Sequence, residues 1–154
     1  MSLPSPIMES LEAEIIKAMK ARDQVRLGAV RLIKSTVKNK EIELIHPLSE
    51  TEFFSVLQTM VKQRAESIEQ FTKGGRTDLA DKEKGELAVI QTFLPQALSD
   101  QDLATLILEA IATSGAKGPK DMGAVMKHLK DKTAGRVDGK KLADLVKNKL
   151  SNLL

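Results

Sequence analysis

The chain has no cysteine, tryptophan or tyrosine, and only two histidines among its 154 residues. Without cysteine there is no disulfide framework, no thiolate metal ligand and no cysteine nucleophile. The histidines, His46 and His128, have no second imidazole or carboxylate at metal-ligand spacing, and each is expected at the surface. Zinc catalysis and Cys/His chemistry are therefore excluded, and no cofactor is expected.

Aromatic side chains are nearly absent, because four phenylalanines supply all of them. Proteins that bind single-stranded nucleic acid stack bases on aromatic rings, so that mode of recognition is not expected. The sequence also lacks any apolar run of the roughly 18 residues that a membrane helix needs. Residues 1–10 lack the basic start and apolar stretch of a secretory signal. We therefore expect a cytoplasmic protein with no membrane partner.

Charge is unevenly distributed along the chain. The net charge is +3 overall, yet residues 113–154 hold ten basic and four acidic side chains, whereas residues 1–112 are net acidic. An excess of one sign in one segment indicates the chemistry of a partner better than the total does. The basic C-terminal segment therefore requires an explanation.

Apolar residues recur at three- and four-residue steps, and no segment shows the sustained alternation of a strand. The pattern predicts an all-α protein with about seven helices in two small bundles. Pro95 marks the predicted boundary between an N-terminal domain, 1–95, and a C-terminal three-helix domain, 96–154.

Helix ends are predicted by capping residues. Asp23 is a candidate N-cap, Ser49 with Glu52 forms a capping-box pattern, and Ser99 with Asp102 is a variant of it. The predicted apolar faces include Met19 on the first helix, Ile42 on the second and Leu145 on the last. The predicted apolar stripe of the third helix includes one charged residue, Arg64.

Two segments invite a catalytic or ligand-binding interpretation. Asp81, Glu83 and Glu86 resemble a general acid/base cluster, but interleaved lysines favour a solvated charged face. The loop 114–119, followed by Lys120, has the small residues of an anion site at a helix start, yet its spacing does not match a nucleotide-binding loop. A tight interhelical turn with Lys120 in solvent is the competing interpretation. No nucleophile is identified, so no catalytic activity of the isolated chain is expected.

Cations on the last two predicted helices and the segment between them suit a surface for phosphates, and an arginine there can bind phosphate bidentately. Recognition of a folded RNA by its shape does not require aromatic residues. The alternative is a lysine-rich surface that only improves solubility. The basic residues concerned are Lys127, Lys130, Lys132, Arg136, Lys140, Lys141, Lys147 and Lys149.

Several motifs in this order resemble the YqeY family, small bacterial proteins related to the tail domain of the B subunit of aspartyl/glutamyl-tRNA amidotransferase. The most specific are Lys120-Asp121-Met122-Gly123-Ala124-Val125-Met126 and Gly135-Arg136-Val137-Asp138-Gly139-Lys140, where Val137 replaces a more usual alanine. Further matches are Arg31-Leu32-Ile33-Lys34, Asn39-Lys40-Glu41-Ile42, Gln63-Arg64 through Ile68 and Phe71, Gly75-Arg76-Thr77-Asp78-Leu79, and Glu86-Leu87 with Leu94-Pro95.

The resemblance implies a tRNA-binding module associated with a glutamine-dependent carbon–nitrogen ligase whose chemistry is performed elsewhere. It implies tRNA or another structured RNA as a partner, and a tRNA-modifying or aminoacylation-linked protein as a further one. Cations would contact phosphates, Gly123 would allow close approach or packing, and Asp138 would cap a helix. The candidate RNA-binding residues are Lys120, Gly123, Lys127, Lys130, Arg136, Asp138, Lys140 and Lys141.

A protein–protein adaptor with no specific RNA ligand is the competing hypothesis. In that case the N-terminal helices dock onto another protein, and the basic C-terminal segment serves solubility alone. The surface that would then matter is the basic flank of the second predicted helix: Arg26, Arg31, Lys34 and Lys38.

Overall fold

A computed structural model describes residues 5–153. The first four residues, which are part of the segment tested above for a secretory signal, lie outside that range. Within it the chain forms seven α-helices, one short 3-10 helix and no strand, which confirms the all-α prediction. No helix in the described range is both long enough and apolar enough to cross a membrane. The helices are α1 (Pro6–Lys20), α2 (Gln24–Leu44), α3 (Glu50–Lys73), α4 (Thr77–Gln91), α5 (Asp100–Ser114), α6 (Met122–Thr133) and α7 (Gly139–Ser151), and the 3-10 helix is Pro119–Asp121.

Side-chain caps begin several of these helices. Asp23 accepts a hydrogen bond from the Arg26 amide, and Ser49 and Glu52 form the reciprocal capping box. The Ser99 hydroxyl accepts from the amide of Asp102 at 3.1 Å, as the variant motif predicts. These bonds satisfy amides that have no partner within the helix, which explains why the helix starts were predictable from sequence.

The chain divides into two compact units, Met1–Leu94 and Pro95–Leu154. In the first, α3 packs along α4, α1 packs along α2, and α2 also packs on α4. Its core is built from one face of each of these helices. Fully buried members include Leu11, Val30, Ile33, Val37, Leu57 and Ile90.

In the second unit, α6 packs against both α5 and α7. The core residues recur at helical spacing, so each helix turns one apolar stripe inward. The inward stripes consist of Leu103, Ile107 and Ile111 on α5, Val125 and Leu129 on α6, and Leu142, Val146 and Leu150 on α7. The opposite faces of α6 and α7 are thereby left to solvent.

Three apolar residues predicted to face a core are exposed instead. Met19 lies in the last turn of α1, where the neighbouring Ala18 takes the buried position. Ile42 lies beyond the last buried residue of α2, Val37, where the helix extends past the core. Leu145 lies beside the buried stripe of α7 and is partly exposed. A three- or four-residue step does not by itself distinguish a core position from its neighbour on the wheel.

Ile45, which ends α2, has a left-handed backbone with φ of 61°, while 90% of the residue is exposed. A β-branched residue in this conformation costs about 1–2 kcal/mol, and its exposure offers no burial to offset the cost. We expect Ile45→Gly to stabilise the protein by about 1 kcal/mol in chemical denaturation. Ile42→Gly, inside the same helix, should destabilise it by about the same amount, so a loss of stability in both variants would contradict this account.

Candidate nucleic-acid interface

The outer face of α6 carries two of the predicted lysines. Gly123, Lys127 and Lys130 follow one another at steps of four and three residues and are all exposed, so they share one side of the helix. Val125 and Leu129 lie on the opposite side, buried in the core. Exposed lysines are thus held on a rigid helix surface.

The lysines of α7 divide between two sides of that helix. Lys140 and Lys147, seven residues apart and both exposed, lie opposite the buried stripe, with Asp144 between them on the same face. Lys141 lies elsewhere: its Nζ is 3.1 Å from the Asp100 carboxylate of α5. The structure therefore separates Lys141 from the other α7 candidates.

Arg136, in the segment between α6 and α7, has a structural role that the sequence did not indicate. Its Nε donates to the Gln96 carbonyl at 2.9 Å, and its own carbonyl accepts from the Leu98 amide at 2.9 Å. Arg136 thus ties this segment to the one that precedes α5. Because Nε already donates to Gln96, this nitrogen is not available for a bidentate contact with phosphate.

Asp138 occupies the N-cap position of α7, and its carbonyl accepts from the Leu142 amide at 3.0 Å. Its carboxylate, however, makes no capping hydrogen bond. Asp138 therefore stands at the helix start, as the resemblance implies, and its backbone alone provides the capping contact.

In the glycine-containing loop before α6, backbone amides bind a nearby carboxylate of the chain. The Asp121 carboxylate accepts from the amides of Lys117, at 2.8 Å, and Gly118, at 3.3 Å. These amides are therefore engaged by a negative charge that repels a phosphate, which favours the tight-turn interpretation. Lys120 is exposed in the 3-10 helix. A side chain added at Gly123 would meet nothing within 4 Å, so internal packing does not require glycine there.

The basic flank of α2 is partly neutralised. Arg26 lies 2.9 Å from Glu14 and 5.4 Å from the centre of the Phe93 ring, and Lys34 pairs with Glu12. Two of the four cations nominated for the adaptor hypothesis therefore stabilise the N-terminal unit itself.

The acidic residues of α4 do not form the solvated face that the sequence predicted. Arg64 of α3 places its Nε 3.1 Å from a carboxylate oxygen of both Glu83 and Glu86, and all three side chains are only about one-fifth exposed. The pairing is electrostatic, because the buried Nε and the Glu83 Oε2 make no hydrogen bond in this geometry. The signal was present in the sequence, since Arg64 falls on the apolar stripe of α3. Only Asp81 of the cluster lies in solvent, 3.9 Å from Lys84.

Asp78 lies at the start of α4, beside Arg76. The Arg76 guanidinium, which donates to its carboxylate, lowers the pKa of Asp78 below its usual value. Both side chains lie in solvent, so this pair orders the helix start and forms no reactive centre.

His46 and His128 are exposed, as predicted. Within residues 5–153 no group of three or more acidic or imidazole side chains is arranged to hold a metal ion.

Comparison with curated proteins identifies fungal relatives. Proteins named "Altered inheritance of mitochondria protein 41, mitochondrial" are 36% identical over 94 residues in Vanderwaltozyma polyspora and 38% identical over 85 residues in Eremothecium gossypii. These alignments span 60% and 54% of this chain, and about half of each relative, 51% and 46%. The Saccharomyces cerevisiae protein of the same name is 28% identical over 138 residues, covering 86% of this chain and 70% of its own length.

These relatives correct one prediction and leave another unsupported. The prediction of a cytoplasmic protein is wrong, because the names of the relatives place them in mitochondria. Composition did not distinguish the compartments, since a helical domain without cysteine or long apolar runs suits either one. The relatives are also fungal, so they do not support the bacterial source that the resemblance implied.

One comparison covers nearly the whole chain. The family model described as Yqey-like protein matches residues 8–150, which include all seven helices except a few terminal residues. The match therefore extends over both compact units and every candidate residue on α6 and α7. On this extent of agreement, the chain belongs to the YqeY family.

Proposed function

We propose that this protein is a non-catalytic module that binds tRNA or another structured RNA, as an accessory to glutamine-dependent tRNA amidation. The observation that carries the proposal is the placement of Lys127 and Lys130 on α6 and of Lys140 and Lys147 on α7. All four are exposed, on the sides of their helices that face away from the core. The relation to amidation rests on the resemblance of the C-terminal motifs to the amidotransferase tail domain.

The chemistry of these side chains fits a phosphate backbone better than a base. Lysine binds phosphate as a point charge and releases condensed counterions, which gives affinity without sequence selectivity. Two rigid helices carrying such charges favour a folded RNA whose phosphates have fixed spacing, and this requires no aromatic stacking. Arg136 supports the surface indirectly by holding the segment between the helices.

The adaptor hypothesis has less support on the surface first nominated for it. Arg26 and Lys34 are paired with acids of α1, so that flank offers less charge than its sequence indicates. RNA binding through the C-terminal unit gives a specific role to the charge asymmetry, which the adaptor hypothesis attributes to solubility alone.

The proposal is tested by substituting two lysines of α6. We expect Lys127→Ala with Lys130→Ala to weaken tRNA binding and to flatten the slope of log K against log salt by up to about 0.9 for each phosphate that the variant no longer neutralises. The measurement is fluorescence anisotropy with labelled tRNA at several salt concentrations.

The matched control is Lys62→Ala with Lys82→Ala, which removes the same charge from exposed positions on α3 and α4. This variant should retain nearly the wild-type slope. Equal effects of the two pairs would reduce RNA binding to a response to net charge and would contradict a site on α6.

A further inference from the structure

One flank of α5 carries apolar side chains outside the core. Ile107 is buried, whereas Leu108 is 49% exposed, and Ala104 lies exposed on the same flank. The side of α5 opposite the core is polar and includes Thr105 and Glu109. The apolar face of α5 is therefore wider than the part that the core of the C-terminal unit covers.

Leu108 borders a groove between α5 and α7. The two helices both pack on α6, and the space left between them is about 350 Å³, lined with Ala104, Ile107 and Leu108 from α5 and with Leu145 from α7. Leu145 is 37% exposed there. The groove therefore exposes aliphatic side chains of both helices to solvent.

The charges around the groove are unequal. Lys141 and Lys149 line it from α7, while Asp100 is the acidic residue in its lining and already pairs with Lys141. Lys149 lies two turns from Lys141, on the same side of the helix as Leu145. Lys149 is therefore the lysine of the groove that has no acidic partner in the lining, and a ligand for this groove needs an apolar face with negative charge beside it.

We propose that the groove binds an amphipathic helix of a partner protein, with apolar residues between Leu108 and Leu145 and acidic side chains beside Lys149. Helix-in-groove binding has this form: residues at steps of three and four enter an apolar channel, and rim charges fix the orientation. An RNA backbone would contact the lysines but leave the leucines uncovered. A second copy of this groove would bring the same net positive charge against it.

This site is distinct from the proposed RNA surface. Lys127 and Lys130 lie on α6, which contributes no residue to the lining of the groove. Lys140 and Lys147 lie on a different side of α7 from Lys141 and Lys149. The groove is therefore tested without reference to RNA.

The probe is a fluorescein-labelled synthetic helical peptide of about 18 residues, long enough for about five turns, with leucines at helical spacing edged by glutamates. We expect it to bind the full chain, and Leu108→Gln with Leu145→Gln to weaken binding at least about tenfold. Both leucines are partly exposed, so circular dichroism should show unchanged helix content. Ile42→Gln, at an exposed apolar position in α2, is the matched control and should bind as the wild type does.

A peptide with the same leucines but lysines in place of the glutamates should bind at least about tenfold more weakly, because the rim charges then repel it. Equal binding of the two peptides, or equal binding by wild type and the double leucine variant, would overturn the proposal. Analytical sedimentation tests whether a second copy of this chain occupies the groove instead. A dimer that disappears in the double leucine variant would assign the groove to that second copy. A sedimentation profile that the double substitution leaves unchanged, together with selective loss of the acidic peptide, supports the partner helix.

Discussion

Replacing Arg64 with alanine is expected to destabilise the α3–α4 pair by about 2–3 kcal/mol, because it leaves two mostly buried carboxylates without their cation. Glu83 and Glu86 are each about one-fifth exposed and lie 3.1 Å from the Arg64 Nε. Removing one partner from such a cluster costs more than the cluster contributes, since the remaining charges keep the desolvation penalty and lose the attraction. Faster amide hydrogen exchange in peptides from α3 and α4 of the full chain measures the effect.

Making the same substitution in a variant without the two carboxylates distinguishes loss of the ion cluster from simple loss of side-chain packing. In a chain that already carries Glu83→Gln and Glu86→Gln, the Arg64→Ala cost should fall below about 1 kcal/mol, because no charge is left unpaired. An equal cost in both backgrounds would show that Arg64 acts through its aliphatic stem alone.

Leu129→Ala is expected to cost about 3 kcal/mol in the C-terminal unit, because Leu129 is fully buried in the core of a short helical segment. Small units have little stability to lose, so this cavity should unfold part of the population near physiological temperature. We therefore expect RNA binding to fall on warming even though every lysine is retained. Thermal unfolding and tRNA anisotropy, followed together over temperature, measure both effects.

Leu145→Ala is the matched control, since it makes the same chemical change at a partly exposed position in the same unit. Its cost should stay below about 1 kcal/mol, and its RNA affinity should follow the wild type over temperature. RNA binding by Leu129→Ala that survives the loss of helix content would indicate that the lysines act without the folded scaffold.

The sequence predicted the helices well where their ends are determined locally. Asp23, Ser49 and Ser99 accept hydrogen bonds from amides three residues away, so a short segment contains all the information for the cap. The family resemblance also proved reliable, because it rested on an ordered set of motifs rather than on one glycine pattern.

Interactions between distant segments were the part that sequence patterns did not predict. The sequence pattern places Arg64 in an apolar stripe and Glu83 in solvent, and neither pattern identifies the other residue as a partner across two helices. The resemblance implies that Arg136 binds phosphate, yet its Nε donates to Gln96, forty residues earlier. Charge alone groups Lys141 with Lys140, although successive residues on a helix point about 100° apart and the partner of Lys141 is Asp100.

Direct titration of the purified, nuclease-treated protein tests the central claim. Labelled bulk tRNA and a duplex DNA of equal length are compared by anisotropy at two salt concentrations. A shaped site on α6 and α7 predicts tighter binding to tRNA than to DNA, with a preference that persists at the higher salt. Equal affinities for the two nucleic acids, both abolished by salt, would contradict the claim and leave only nonspecific attraction to a basic surface.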